Sequence, residues 1–159
     1  MDEPGTCVFC DVVAGRAEVS LVHQDDTVMV IMDANPVNPG HVLVLPRRHL
    51  AGLEDLGDQV GEHLWRTARL MAMGLRRSRL RCEGVNIFLG DGQAAFQQIL
   101  HVHLHVFPRY DGDDFVIDAD CEPRERRLLN QEAWALRDAV RSVLRPPAPV
   151  YGSRHAPGP

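Results

Sequence analysis

Between Leu100 and Arg109 the chain reads LHVHLHVFPR, with His101, His103 and His105 at every second position, Val102 and Leu104 between them and Val106 after them. A period of two is the period of a β-strand, in which successive side chains point to opposite faces. The strip therefore predicts a strand with three imidazoles on one face and an aliphatic face against a core. In a helix the same histidines would spread over more than half the circumference. Pro108 reads as the end of the strand, because proline has no N–H to give a ladder. The chain has eight histidines, and three in register make a merely solvent-facing polar strip a poor explanation.

The other segments read around this strip. Residues 19–33 predict two strands about a turn at Gln24–Asp26. Residues 34–40, ANPVNPG, predict a loop, and His41–Pro46, HVLVLP, a further strand. From Leu53 to Leu75, apolar residues at Leu53, Leu56, Val60, Leu64, Ala68, Met71 and Leu75 recur every three or four positions, the stripe of an amphipathic helix. Val85–Leu89 predicts a strand, followed by a turn at Gly90–Gly92. A second helix is expected over about 123–145, with Leu129, Ala133, Leu136, Val140 and Val143 as its stripe, and Pro146–Pro147 ends it. Residues 146–159 are rich in Pro and Gly and are expected to be disordered. The expectation is one α+β domain over residues 1–145, with a core over 7–109 and a mainly antiparallel sheet of about five strands.

Composition narrows the function. At 159 residues, 45% hydrophobic and 25% charged, the chain can bury a core without disulfides. A formal net charge of −5 argues against general binding to a nucleic-acid backbone, but not against a small phosphate ligand. No apolar run approaches the roughly 20 residues of a membrane span, and the acidic start MDEPGTCVFC lacks a signal peptide's pattern. A cytoplasmic protein without membrane partners is expected. In that compartment structural disulfides are improbable, so Cys82 and Cys121 read as inert thiols. Cys7 and Cys10 form C-x-x-C, which fits zinc, a redox pair or two reduced thiols. The redox reading expects a thioredoxin-like βαβ unit, and nothing in the pattern resembles one. Zinc would need two more ligands.

Neutral imidazole can attack phosphorus, bind a metal or, when charged, hold a phosphate. Same-face neighbours on a strand stand roughly 7 Å apart, so three in a row converge on one ion with difficulty. A division of labour along the row is the better expectation.

HVHLHV resembles the signature of the histidine-triad (HIT) superfamily of nucleotide hydrolases and transferases. Asp33 through His49, DANPVNPGHVLVLPRRH, resembles that family's D-x-x-P-x-x-x-G-H-x-L-V-x-P-x-x-H segment. Cys7–Cys10 stands where many members carry C-x-F-C, and Gln97 where they carry a glutamine. The similarity runs from about Cys7 to Arg109. It implies a HIT-like fold and hydrolysis of nucleotide derivatives at the α-phosphate, the substrates being dinucleoside polyphosphates, nucleoside phosphoramidates or adenylates. His103 is then the nucleophile that carries a nucleotidyl intermediate, while His105, Gln97 and Gln98 serve the phosphate and leaving group. Asp33 accepts from ribose hydroxyls, its other reading being a loop cap, and His41 supports the site from behind. The resemblance also implies a structural zinc on Cys7, Cys10, His49 and His101, no organic cofactor, and a homodimer with exchanged sheet edges. Nucleotidyl transfer or phosphorolysis, and a non-catalytic nucleotide sensor, are the competing readings.

Two positions depart from the family. Phe96 replaces a glycine beside the phosphates, so the backbone there either avoids a positive φ or takes another path. Gly90 stands where relatives often have Asn or Gln, and Asn86 on its strand need not reach the site. His23 and His63 read as surface residues.

Overall fold

The computed structural model describes residues 7–119 and 121–144. These fall into two units, Met1–Val116 and Ile117–Pro159. The first holds a five-stranded antiparallel sheet of order β1-β2-β3-β5-β4, made of β1 (Leu21–Gln24), β2 (Val28–Met32), β3 (Val42–Pro46), β4 (Gly84–Phe88) and β5 (Leu104–Arg109). Helices α1 (Val8–Val13) and α2 (Asp58–Arg77) complete it. The second unit contains α3 (Arg126–Val143), whose stripe residues Leu129, Leu136, Val140 and Val143 are exposed. The fold class is thus α+β with an antiparallel sheet, as expected. The predicted tail, 146–159, lies outside the described residues. No described helix is long and apolar enough to cross a membrane.

The β1–β2 turn is tight because the Asp25 carboxylate accepts the backbone N–H of Thr27 at 2.8 Å and of Val28 at 2.9 Å. β2 and β3 are almost wholly buried because both faces of the sheet are covered. On one face Val28, Val30, Val42, Val44, Leu104 and Val106 pack with Leu64, Ala68 and Leu75 of α2. On the other, Met29, Ile31, Leu43 and Leu45 pack with Phe9 and Val12 of α1. The aliphatic half of the histidine strip therefore faces the α2 core, as its period requires.

Four boundaries differ from the sequence reading. The long helix starts at Asp58, not Leu53. Leu53–Asp55 forms a separate 3-10 turn, and Leu56 and Gly57 are extended. The apolar spacing survives this break because Leu56 still packs on the core. The strand assignment begins at Leu104, so His101–His103 precede it. Pro46 has no N–H to extend the β3–β5 ladder past Val44↔Leu104, and Val102 instead donates to Leu50 O at 2.7 Å. Pro108 lies inside β5, opposite Val85. Its carbonyl accepts from Asn38 Nδ2 at 2.9 Å, so its amide side points away from β4, where β3 has ended and no donor is needed. The C-terminal helix starts at Arg126 and not near Pro123.

Leu64→Ala empties a fully buried position of α2 and should lower the unfolding free energy by about 2–5 kcal/mol. Leu70→Ala, on the exposed side of the same helix, should change it by less than about 0.5 kcal/mol. Urea denaturation of the two variants checks this.

Candidate functional site

β5 and the residues leading into it carry all three histidines of the row. His101 and His103 are buried and His105 is partly buried, on the face that α1 covers. The Phe9 ring meets His101 edge-on at 5.7 Å and His103 at 5.1 Å between centroids. The C-x-F-C phenylalanine thus shields two of the three imidazoles, a role the sequence reading did not assign.

Each ring is held by a partner that fixes its tautomer. His103 Nδ1 lies 2.7 Å from His101 O. A carbonyl can only accept, so Nδ1 carries the proton and Nε2 keeps a lone pair. His101 is the reverse: Nε2 donates to Pro46 O at 2.8 Å, leaving Nδ1 unprotonated. At the other end, Val37 N–H donates to His41 Nδ1 at 3.1 Å, so His41 Nε2 bears the hydrogen. That nitrogen is 2.9 Å from His105 Nδ1 and donates to it, which leaves His105 Nε2–H as a donor. His41 therefore does support the row from behind, by orienting His105. Asp33 divides its carboxylate: Oδ1 accepts Asn35 N–H at 2.8 Å as a loop cap, while Oδ2 stands 3.5 Å from His41 Nε2 and 3.7 Å from His105 Nδ1. Asp33, His41 and His105 are close enough to group around an ion, but the relay occupies the nitrogens that would bind it.

Burial keeps the row neutral. It holds His103 and His41 below the usual imidazole range, against the pull of Asp33. His105 is pushed down to about 4 by burial and then by His103 and His41.

Cys7, Cys10, His49 and His101 form a second cluster, their donor atoms all within 4.8 Å of one another. His101 Nδ1 lies 3.5 Å from Cys7 Sγ and 3.8 Å from Cys10 Sγ, and His49 Nδ1 lies 3.3 Å from Cys10 Sγ. These are about the edges of a tetrahedron built on Zn–S and Zn–N bonds. The Pro46 bond behind His101 is the usual support of a metal-binding imidazole. Burial and the adjacent Cys7 sulfur push the Cys10 thiol up, the condition a cation between the sulfurs would reverse. The donor set thus fits a metal.

The loop after β4 is braced from within. Gln97 is buried, its Oε1 accepting Gly92 N–H and its Nε2 donating to Ala51 O, both at 2.8 Å. Both ends of its amide thus have backbone partners. Gln98 is exposed. Phe96 keeps a positive φ of 64°, so the first of the two alternatives for it is wrong. Gly90 has no room for a side chain: a Cβ there would lie 2.4 Å from Ala95 O. Asn86 is held by Arg109 Nη1 at 3.1 Å. His23 and His63 both face Asp25, at 3.8 Å and 2.7 Å, so His63 ties α2 to the β1–β2 turn and is not simply a surface residue.

A family model described as "HIT domain" matches residues 14–112. An uncharacterized HIT-like protein of Mycobacterium tuberculosis is 36% identical over 142 residues, covering 84% of this chain and 96% of its own. The adenylylsulfatase of Arabidopsis thaliana is 30% identical over 138 residues, covering 87% of this chain and 69% of its own. Among solved structures, a HIT family protein of Bacillus subtilis superposes with a TM-score of 0.78 at 25% identity, over 84% of this chain and 96% of that one. A zinc-bound histidine triad family protein of Mycobacterium smegmatis does so with 0.68 at 35% identity, over 85% and 97%.

Because His105 stays neutral in the folded chain down to about pH 4, whereas a free imidazole takes up its proton near 6.5, the unfolded chain binds more protons between these values. Unfolding free energy should therefore rise as pH increases from about 4 to about 6.5. Thermal melts across that window should show the rise, and H105Q should make it shallower, the depressed His41, His101 and His103 supplying the remainder.

Proposed function

The chain belongs to the HIT domain family, and we propose that it hydrolyses nucleotide derivatives at the α-phosphate through a nucleotidyl group carried on His103. One observation carries this reading: the His101 carbonyl holds the proton of His103 on Nδ1, so a neutral, buried ring offers Nε2 as an unprotonated nucleophile at physiological pH. In the first step the Nε2 lone pair attacks the α-phosphorus, an N–P bond forms, and the bond to the leaving group breaks. The leaving group departs with the electron pair and takes up a proton. The ring, now substituted on Nε2, carries positive charge that the Nδ1–H···O=C bond to His101 stabilises. In the second step water attacks the same phosphorus, releasing a proton to solvent, and the N–P bond breaks with its electron pair returning to Nε2. The nucleoside monophosphate is released, and His103 is restored as a neutral ring.

The relay from Val37 through His41 presents His105 Nε2–H as a donor to a phosphate oxygen. Asp33 Oδ2 is the acceptor for ribose hydroxyls, and its other oxygen keeps the 33–35 turn rigid. Gln97 contributes by holding the loop that carries Gln98, which faces the leaving group. The name of the Arabidopsis relative, an adenylylsulfatase, supports a nucleotide with a displaceable group on its α-phosphate. The substrate set is dinucleoside polyphosphates, phosphoramidates and adenylates.

Cys7, Cys10, His49 and His101 would hold a zinc ion, a closed set of four protein ligands and so structural. It would fasten the start of α1 and the step after β3 to the residues that carry His103. The zinc-bound relative supports this choice of metal. β4 is one of the sheet's two outer strands, β1 being the other, and we assign the β4 edge to pairing with a second copy in a homodimer.

His103→Asn should cut turnover by about 10⁴-fold or more while nucleotide binding, measured by calorimetry, persists. Mass spectrometry of quenched wild-type reactions should find a nucleoside monophosphate on His103; equal activity in the variant would remove the mechanism. Metal analysis should give one zinc per chain, and Cys7→Ser or chelation should lower the melting temperature by about 5 °C or more. Carefully purified protein without zinc would overturn that assignment.

A further inference from the structure

The β4–β5 register pairs Phe88 with His105. Carried two residues further, it sets Gly90 beside His103, and a side chain at Gly90 would project on the same face as Phe88 and the histidines. The space for that side chain is filled by backbone, Ala95 O at 2.4 Å and Gln97 N at 3.2 Å from the Cβ position. The Ala95–Gln97 segment therefore runs over the histidine face level with His103, on its β4 side. Asp33 follows β2 and His41 precedes β3, both across β5 from that segment. A substrate with its α-phosphorus at His103 and its nucleoside toward Asp33 has its leaving group on the Phe96 side.

Phe96 is costly where it stands. Its left-handed backbone, φ 64° and ψ 21°, strains any residue with a Cβ and suits glycine. A large apolar residue commonly offsets such strain by burying its ring, yet Phe96 is 82% exposed. Among the described residues, nothing repays the strain or the hydration of the ring. The ring borders an open groove of about 520 Å³ with Gln93, Gln97, Gln98 and Leu100.

We infer that Phe96 is a platform for the leaving group, stacking on a planar aromatic ring carried by the departing half of the substrate. The assignment rests on the hydrolase reading above and narrows its substrate class. The ring has two possible sources: the second base of a dinucleoside polyphosphate, or an aryl group on an amine. Both leave in the first step, when the N–P bond to His103 forms and the P–O or P–N bond to the leaving group breaks. The contact therefore acts on formation of the nucleotidyl-His103 adduct.

The test compares matched substrates that differ only in that ring. One pair is the adenosine 5′-phosphoramidates of 2-phenylethylamine and 2-cyclohexylethylamine. The other is diadenosine tetraphosphate and the same compound lacking the second base. The wild type should favour the aromatic member of at least one pair by about tenfold in kcat/KM, and the preference should appear in the rate of adduct formation. Which pair shows it identifies the source of the ring. Phe96→Leu keeps apolar bulk and the strained backbone but removes the flat face, and Phe96→Gly removes the strain; in both, the ratio should fall to near one. A wild type without preference in either pair, or a ratio unchanged in Phe96→Leu, would overturn the assignment while leaving the hydrolase reading intact. Absence of turnover with all four compounds would remove the hydrolase reading and this assignment together.

Discussion

The site depends on backbone carbonyls deciding where imidazole protons sit. Pro46 O takes the Nε2 proton of His101, and His101 O takes the Nδ1 proton of His103. Two histidines on one face, two residues apart, are thereby set in opposite tautomers. The first presents Nδ1 to the cysteine cluster, and the second keeps Nε2 free. A third arrangement governs His105, whose Nδ1 accepts from His41. One repeated residue type thus presents a bare Nδ1, a bare Nε2 and an Nε2–H in turn, because an imidazole with one nitrogen committed has only one role left for the other.

Those bonds act on rings that are buried or, for His105, partly buried. The sheet is covered on both faces, by α2 on one and by α1 with Phe9 on the other. Burial is the largest influence on His41, His101, His103 and His105, and in each it disfavours the charged ring. A histidine held neutral keeps its lone pair at the pH where nucleotides are stable. The cluster beside α1 and the chemistry proposed at His103 are therefore one construction. Whatever pins Cys7 and Cys10 also keeps Phe9 over the imidazoles.

The loop after β4 shows a different balance. Gly90 permits the backbone of Ala95–Gln97 to lie against the strand, and Gln97 spends its amide on holding that loop shut. Rigidity there is what allows Phe96 to be kept in a conformation that it would not choose. Strain held by a braced loop, with its side chain left in solvent, is a pattern of sites prepared for a ligand.

Much of this was legible in the residues. The period of two around His101–His105 gave the strand face, and the spacing of Leu64, Ala68 and Leu75 gave the helix that packs on its far side. The GH pair at Gly40–His41 and the C-x-F-C motif located the residues that gather round the histidines. What escaped were backbone features and contacts between residues far apart in sequence. Pro46 ends the β3–β5 ladder through an absent N–H, and Gly57 lies extended just before α2, whose apolar period continues back through Leu56. His63 meets Asp25 across 38 residues of sequence, a contact no local pattern announces. Periodicity records which way side chains point, and so it determined the faces of strand and helix. Proton positions, burial and the path of the 90–97 loop depend on which distant carbonyls, rings and amides come within about 3 Å, and only the folded chain settles that.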